Sequence, residues 1–322
     1  MSEKMLSVII PAFNEHENIA NTASVVSGIL DAEKIPFEII FVDDGSRDNT
    51  WEEICSASRR DARVRGVRFS RNFGKEGAIF AGLKAASGAC AVLIDCDLQH
   101  PPELIPKMYR MWESGAEVVE AIKASRGKES ILYKLFAKGF YKLMKSSSGI
   151  NLDGASDFKL LDRRAVDALN EMPERLTFFR ALSSWVGFRT EQIEFDVKPR
   201  AAGSSKWNFK KLFVFAVNSI TSFTNFPMQI ITFVGAIFGV FAAVLGIQTL
   251  VNYFCGAAEN GFTTVILLLL IIGSCLMIGV GIIGFYMSKI YEEIKQRPRY
   301  IVSERVNEYI GEADEANERT PD

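Results

Sequence analysis

Short apolar runs alternate with amphipathic segments through the amino-terminal part of the chain. The runs are rich in β-branched and aromatic residues, a pattern that predicts buried strands. They lie at residues 7–13, 37–42, 64–69, 89–94 and 117–121. The segments between them repeat apolar residues at helical spacing, so the expected fold is α/β, a mostly parallel sheet with helices on both faces. The first of these helices should bury Ile19, Ala23, Val26 and Leu30.

Polar residues follow the predicted strands where each strand ends. We expect Asn14 and Ser46 to cap the helices after the first two strands, and Pro101 and Pro102 to open a helix after the fourth. Ligands of open α/β sheets bind just outside the carboxyl ends of the strands. The acids at these ends should therefore share one rim of the sheet: Glu15, Asp44, Asp95 and Asp97.

Asp95 and Asp97 are two carboxylates one residue apart at the end of a buried run. Such a pair can hold a hard divalent cation that also binds phosphate oxygens; the alternative is a polar turn that caps the next helix. Only two histidines and five scattered cysteines are present, which leaves few ligands for a zinc site or a histidine-based triad. The expected metal is therefore Mg²⁺ or Mn²⁺ on oxygen ligands.

Two long segments, 228–255 and 263–287, contain no charged residue. Each has roughly 25 residues and would measure about 37 Å as a helix, enough to cross a hydrocarbon core of about 30 Å. Lysine and arginine flank the pair on both outer sides, whereas the connector at 252–262 has neither. The positive-inside rule then predicts a multi-pass hairpin in the inner (plasma) membrane with both termini cytoplasmic. A buried helix pair in a soluble protein is the alternative.

Basic and apolar residues interleave at 131–145 and again at 206–215. Helices of this kind suit an anionic membrane surface, although a core-facing helix with a solvated lysine face has the same pattern. The tail after Ser303 is acidic and polar and is expected to be helical before it frays. The predicted organisation is a cytoplasmic α/β domain, a juxtamembrane amphipathic helix, two membrane helices and a cytoplasmic tail, at 1–205, 206–227, 228–255, 263–287 and 288–322.

Acids at the rim together with a divalent cation indicate a nucleotide diphosphate ligand, because the metal neutralises charge as a diphosphate leaves. Neither a G-x-x-x-x-G-K-[ST] phosphate loop nor a G-x-G-x-x-G motif after the first strand is present, which argues against an ATPase or a dehydrogenase. The formal net charge of −2 gives no reason to expect nucleic acid as a partner. The residues therefore predict a membrane-anchored transferase with a nucleotide-activated donor, without naming the transferred group.

Six stretches resemble the family 2 glycosyltransferases of the GT-A fold, in the order expected for that family. They are residues 7–15, 42–50, 70–76, 95–103, 157–164 and 291–298. The third, fifth and sixth stretches narrow the resemblance to the polyprenyl-phosphate glycosyltransferases, the group of bactoprenol glucosyltransferase and dolichol-phosphate mannose synthase. The resemblance runs from about residue 6 to residue 300 and includes the membrane hairpin.

The resemblance implies inverting transfer of a sugar from a nucleotide diphosphate to a polyprenyl phosphate at the cytoplasmic leaflet of the lipid bilayer. It assigns the metal to Asp95, Asp97 and Gln99. It assigns the nucleotide to Pro11, Phe13, Glu15, Asp44 and Asp95. Arg200 and Lys206 match a loop that closes over the phosphates; membrane-surface charge is the alternative role for these two residues.

Asp157 and a basic residue for the acceptor complete the implied site. The acceptor phosphate would meet Lys123 or Arg126, and the choice is open because many relatives carry an arginine soon after the fifth strand, where this chain differs. A lipid phosphate has a second pKa of about 6 and needs no strong base. Asp157, counted with Asp97 as catalytic, is therefore expected to orient the sugar, the acceptor or the metal. A helix-capping acid near Arg163 is the alternative for Asp157.

The motifs leave the donor open. UDP-glucose with undecaprenyl phosphate is the leading expectation, and UDP-N-acetylglucosamine, a UDP-4-amino-arabinose derivative and GDP-mannose are the alternatives. A processive polysaccharide synthase is disfavoured, because the chain has no Gln-x-x-Arg-Trp motif and two membrane segments are too few for a channel. A non-catalytic membrane scaffold with a transferase-like fold is the competing class. Relatives form homo-oligomers, so a homo-oligomer is left open.

Overall fold

The computed structural model describes residues 4–123, 156–174, 178–195, 226–255 and 261–307. The chain divides into two compact units, one of residues 1–135, 150–205 and 298–322 and one of residues 136–149 and 206–297. The described part of the first unit is an α/β domain, and that of the second is a pair of long helices. The domain boundaries drawn from the sequence stay predictions.

An eight-stranded sheet organises the described part of the first unit. Its strands are β1 (Leu6–Ala12), β2 (Phe37–Asp43), β3 (Val64–Phe69), β4 (Cys90–Leu93), β5 (Val118–Lys123), β6 (Lys159–Asp162), β7 (Thr190–Phe195) and β8 (Val302–Val306). Its helices are α1 (His16–Ala32), α2 (Thr50–Arg60), α3 (Lys75–Ala85), α4 (Ile105–Glu113), α5 (Arg163–Glu171) and α6 (Phe179–Trp185). A 3₁₀ turn, Pro102–Leu104, leads into α4, so the two prolines precede a helix as predicted.

The strand order is β7-β5-β6-β4-β1-β2-β3-β8. Strands β1 to β4 are parallel where they pair, and β5 is parallel to β7. Strand β6 runs antiparallel between β4 and β5, and β8 runs antiparallel along β3. Because β6 is reversed, the residues just before it lie at the same rim as the carboxyl ends of β4 and β5. This arrangement brings a late segment of the chain to the rim that the early strands form.

Helices cover both faces of the sheet. On one face α1 buries Ile19, Ala23, Val26 and Leu30, in a core shared with α2 and α4. Alternate residues of a strand point to opposite faces, and on the other face α3 approaches β1 so closely that a Cβ at Gly82 would collide with Ile9. The predicted α/β architecture is confirmed.

The helix caps predicted from the sequence are wrong. Asn14 adopts a φ of +55°, and its Oδ1 accepts a hydrogen bond from the backbone N of Arg47 at 3.0 Å. Ser46 Oγ accepts one from the backbone N of Asn14 at 2.9 Å. The caps are instead Glu15 for α1 and Asn49 for α2. The parallel strands bring the loops after β1 and β2 together, so the predicted caps join those loops to each other.

The start of the predicted tail helix is wrong, because residues Val302–Val306 form β8; the tail after residue 307 lies outside the described residues. Glu304 accepts hydrogen bonds from Trp51 Nε1 at 3.0 Å and from Arg68 Nη1 at 2.7 Å. The rings of Tyr300 and Phe69 stack with their centres 4.9 Å apart. The open edge of β3 supplies backbone partners that a short polar tail could not find within itself.

Two long apolar helices, α7 (Phe226–Phe254) and α8 (Phe262–Ile294), form the described part of the second unit. Their stretches Met228–Thr249 and Ile271–Ile294 have mean hydropathies of 2.6 and 2.0, and both are long and apolar enough to cross a membrane. Large apolar side chains along both helices are exposed, among them Phe233 at 69%. Exposed apolar surface of this extent indicates membrane association.

Candidate active site

The loop after β4 carries the three residues assigned to a metal. Thr22 Oγ1 of α1 donates a hydrogen bond to the carbonyl oxygen of Cys96 at 2.7 Å, and the Cys96 side chain is buried. Asp95 and Asp97 flank this anchored residue, the first half-buried and the second exposed. Asp97 Oδ1 accepts a hydrogen bond from the backbone N of Gln99 at 3.2 Å. One tight turn therefore presents all three side chains.

Asp157 precedes β6 and lies at the same rim. Its carboxylate accepts hydrogen bonds from Arg180 Nε at 2.7 Å and Arg180 Nη2 at 2.9 Å. Lys75 Nζ donates a further hydrogen bond to Asp157 Oδ2 at 2.9 Å and lies 2.5 Å from Asp95 Oδ1. One ammonium group thus joins two carboxylates that the sequence assigned from separate motifs.

The charges around Asp157 keep its carboxylate ionised. Burial alone would raise the pKa of Asp157, but Arg180 and Lys75 outweigh burial and hold this pKa well below its usual range. Burial would likewise lower the pKa of Lys75, and the charges of its two carboxylate partners outweigh it, so the pKa is raised. An ionised carboxylate with both oxygens engaged suits orientation better than proton abstraction. The helix-cap role falls to Asp162, which accepts a hydrogen bond from the backbone N of Arg164 at 3.0 Å.

An aromatic cluster holds the two acidic segments against each other. His100, in the loop after β4, stacks on Phe158 with ring centres 5.4 Å apart and meets Phe195 of β7 edge-on at 5.5 Å. Phe158 follows Asp157 directly and is fully buried. Packing as well as charge therefore determines where Asp95 and Asp157 lie relative to each other.

Asp44 directly follows β2 and is buried. Its carboxylate accepts hydrogen bonds from the backbone N of Phe73 at 2.7 Å, the backbone N of Gly74 at 2.9 Å and Asn72 Nδ2 at 2.9 Å. Burial raises the pKa of Asp44, and the two backbone donors partly offset that effect. Asp44 thus holds the loop after β3, a contact that the sequence did not predict.

The other residues assigned to the nucleotide lie in β1 or just after it. Pro11 pairs with Val42 of β2 in the sheet register. Glu15 donates its backbone N–H to Thr50 Oγ1 at 2.9 Å, which joins the start of α1 to α2. Phe13 is 43% exposed, so its ring is accessible to a planar ligand.

Replacing Gly45 with alanine should lower the free energy of unfolding by about 2–4 kcal/mol. Gly45 has a φ of +66°, and a Cβ there would lie 2.7 Å from the backbone N of Asn72. Thermal or denaturant unfolding measures the effect. Gly28→Ala is the control, because a Cβ at Gly28 has no atom within 4 Å and α1 should gain about 0.5–1 kcal/mol. Equal stability of Gly45→Ala and Gly28→Ala would contradict the close contact of the loop after β2, which contains Gly45, with the loop after β3, which contains Asn72.

Replacing Glu76 with glutamine should stabilise the protein at pH 8 and leave it unchanged at pH 4. Glu76 accepts a hydrogen bond from the backbone N of Phe179 at 2.8 Å, and burial raises its pKa from 4.5 to about 7. The folded state therefore binds the proton more tightly than the unfolded state, so stability falls as pH rises from about 4.5 to 7. Glutamine keeps the acceptor and should add about 1–3 kcal/mol at pH 8. Thermal unfolding at the two pH values measures this, and an equal gain at both would contradict it.

Most of the residues predicted to bind phosphate cannot be placed. Lys123 ends β5 at the rim, and only its backbone is described. Arg126, Arg200 and Lys206 lie outside the described residues, as do the basic segments 131–145 and 206–215.

Lys75 and Arg180 are the site residues that the sequence analysis missed. Lys75 begins α3 shortly after the carboxyl end of β3, so a search of strand-end positions for cations as well as acids could have found it. Arg180 lies in α6, beyond the reversed strand. No local pattern marks Arg180, because only the tertiary fold brings α6 to Asp157.

The residues at the rim fit a divalent cation of the Mg²⁺ type by their chemistry. Within the ranges that the structure describes, no three histidine, cysteine, aspartate or glutamate side chains converge as a metal site of their own. Asp95, Asp97 and Gln99 offer two carboxylates and an amide, and Mg²⁺ commonly completes such a partial set with substrate phosphates and water. These ligands therefore suit a metal ion whose coordination a bound diphosphate completes.

Comparison with known proteins places this chain in a family. The model of glycosyl transferase family 2 matches residues 7–169, from β1 into α5. The chain belongs to this family. It is a glycosyltransferase with a GT-A-type α/β domain, and the matched segment contains every acid described above at the rim.

Relatives extend the similarity beyond this domain. The chain is 36% identical over 304 residues to an uncharacterized glycosyltransferase of Synechocystis, covering 93% of this chain and 95% of that one. It is 36% identical over 299 residues to the prophage bactoprenol glucosyl transferase homolog of Escherichia coli, covering 92% of this chain and 98% of that one. Among solved structures, that of a mycobacterial protein matches with a TM-score of 0.50 and 19% identity over 68% of this chain and 73% of the other, which supports the fold.

Proposed function

We propose that this glycosyltransferase moves glucose from UDP-glucose to undecaprenyl phosphate, with inversion at the anomeric carbon, at the cytoplasmic face of the membrane. The observation that carries the proposal is the similarity to the bactoprenol glucosyl transferase homolog over 92% of this chain. A match of that extent includes the apolar helices as well as the catalytic domain. A lipid acceptor accounts for both parts of the chain.

The rim residues divide between the leaving group and the acceptor. A divalent cation held by Asp95, Asp97 and Gln99 would neutralise the departing diphosphate. Pro11, Phe13, Glu15 and Asp44 are proposed to hold the nucleoside, and Arg200 and Lys206 its phosphates. Lys123 or Arg126 is proposed for the acceptor phosphate.

The proposed attack needs no general base. A phosphate monoester has a second pKa of about 6 and is mostly dianionic at neutral pH, so an oxygen of the acceptor can attack directly. Asp157 is already ionised and accepts hydrogen bonds from both Lys75 and Arg180. We infer that Asp157 keeps these two cations oriented toward the reacting phosphates.

The apolar helices are proposed to cross the membrane as a hairpin with both chain ends cytoplasmic. The support is the distribution of lysine and arginine, which flank the pair and are missing from the connector. The basic segments at 131–145 and 206–215 would then lie on the anionic inner surface, close to the lipid acceptor.

Transfer to lipid tests the proposal directly. Purified protein in detergent is incubated with undecaprenyl phosphate, Mg²⁺ or Mn²⁺ and one radiolabelled nucleotide sugar at a time, namely UDP-glucose, UDP-N-acetylglucosamine or GDP-mannose. Label from UDP-glucose should enter the organic phase, and EDTA should abolish its entry. NMR of the product should show a β-linked glucosyl phosphate, because the donor is α-linked and the transfer inverts.

Two outcomes would overturn parts of the proposal. If a different donor labels the lipid, glucose is rejected as the transferred sugar, and transfer to the polyprenyl phosphate stands. Failure of every donor to label the lipid, with the protein folded by circular dichroism, would reject the polyprenyl phosphate acceptor.

A further inference from the structure

The ammonium group of Lys75 lies between two acids of the rim, Asp95 and Asp157. Its Nζ lies 2.5 Å from Asp95 Oδ1, and Asp95 is the half-buried member of the carboxylate pair assigned to the metal. The same ammonium group donates to Asp157 Oδ2 at 2.9 Å. The Lys75 side chain as a whole is 43% exposed.

The backbone holds Lys75 in this place. Lys75 is the first residue of α3, and the Asp44 carboxylate binds the backbone N of Gly74 just before it. Glu76, the next residue, accepts a hydrogen bond from the backbone N of Phe179 at the start of α6. The contact between Lys75 and Asp95 is therefore built into the loop rather than made by a freely moving surface lysine.

An ammonium group this close to Asp95 competes with a metal for the same oxygen. Two cations at one carboxylate oxygen repel each other strongly in a partly buried site. Asp97 Oδ1 accepts a hydrogen bond from the backbone N of Gln99. With Asp95 held by Lys75, Asp97 and Gln99 are the remaining proposed ligands, and two such ligands alone bind Mg²⁺ or Mn²⁺ weakly. The contact should therefore lower the affinity of the enzyme for metal when no nucleotide is bound.

We propose that Lys75 couples metal binding to donor binding, by holding Asp95 until a diphosphate arrives. A bound diphosphate would supply further oxygen ligands for the metal and would offer the ammonium group an anionic partner in place of Asp95. The inference rests on the proposed metal site. It adds that Lys75 is the residue that links the binding of the metal to the binding of the nucleotide.

Binding of Mn²⁺ measured by titration calorimetry, with and without UDP, tests the coupling without turnover. For the wild-type protein, UDP should tighten Mn²⁺ binding by at least about tenfold. Lys75→Met should bind Mn²⁺ alone about tenfold more tightly than the wild type, because the competing charge is gone, and UDP should add less. Lys75→Arg keeps the charge and should retain the wild-type coupling. Lys84→Met, at an exposed position of the same helix, should behave as the wild type.

The outcomes separate this inference from the proposed function. Wild-type protein that binds no Mn²⁺ with UDP present would reject the metal site and, with it, the role of Lys75. If Lys75→Met shows the same coupling as the wild type, the role of Lys75 is rejected and the proposed metal site stands. Lys75→Gln, which keeps a hydrogen-bond donor without the charge, repeats the measurement if thermal unfolding shows that the methionine variant is destabilised, and it should also bind Mn²⁺ alone more tightly.

Discussion

Asp97→Asn should lower kcat for lipid glucosylation by at least about 100-fold while the protein still folds and inserts into membranes. Asp97 is exposed, and its described hydrogen bond is the one that its Oδ1 accepts from the backbone N of Gln99. Asparagine retains an oxygen that can accept this hydrogen bond, so the turn should survive. The substitution removes a negative charge from the proposed ligands of the divalent cation. Initial rates at saturating donor and acceptor measure the effect.

Asp167→Asn is the matched control for this experiment. Asp167 is an exposed aspartate of α5 that forms a surface ion pair with Arg163 at 3.3 Å, and such a pair contributes little to stability. Its kcat should stay within about twofold of the wild type. Full activity of Asp97→Asn would remove Asp97 from the metal site.

Asp157→Asn should lower kcat by about 100-fold, because the two cations around it lose their common partner and shift. The stability loss should be only about 1–2 kcal/mol, since Lys75 and Arg180 are 43% and 38% exposed and solvent screens much of the ion pair. Steady-state kinetics gives the first quantity and thermal unfolding the second. The Asp167→Asn variant again serves as the control.

The pH dependence of the Asp157→Asn variant separates orientation from base catalysis. The pKa of Asp157 is held well below its usual range by Arg180 and Lys75, so the stability from this carboxylate persists above pH 4 and is lost only as pH falls toward that depressed pKa. Between pH 5.5 and 8.5 the variant and the wild type should therefore show rate profiles of the same shape. An acidic limb present in the wild type and missing from the variant would show that Asp157 accepts a proton.

Local patterns in the sequence predicted most of the sheet correctly. The strands at 37–42 and 64–69 correspond to β2 and β3 almost residue for residue, because a buried parallel strand needs a continuous apolar run and leaves little freedom in its bounds. The buried face of α1 followed from the helical spacing of its apolar residues. The errors in the helix caps came where a short polar side chain had two partners to choose from. Asn14 and Ser46 bind across to a neighbouring loop, and no local rule ranks that choice above a helix cap.

The sequence alone indicated that Asp44, Asp95 and Asp97 share a rim, since each follows a predicted strand and parallel strands end together. It also determined the two apolar helices, whose length and lack of charge are local properties. Only the tertiary structure decided that Lys75 and Arg180 surround Asp157 and that residues 302–306 extend the sheet. Those contacts join segments far apart in the chain, and their partners exist only after β6 has reversed and β3 has been left with an open edge. A pattern read along the chain carries no information about such partners, because the ion pairs and the strand pairing depend on distances that folding creates.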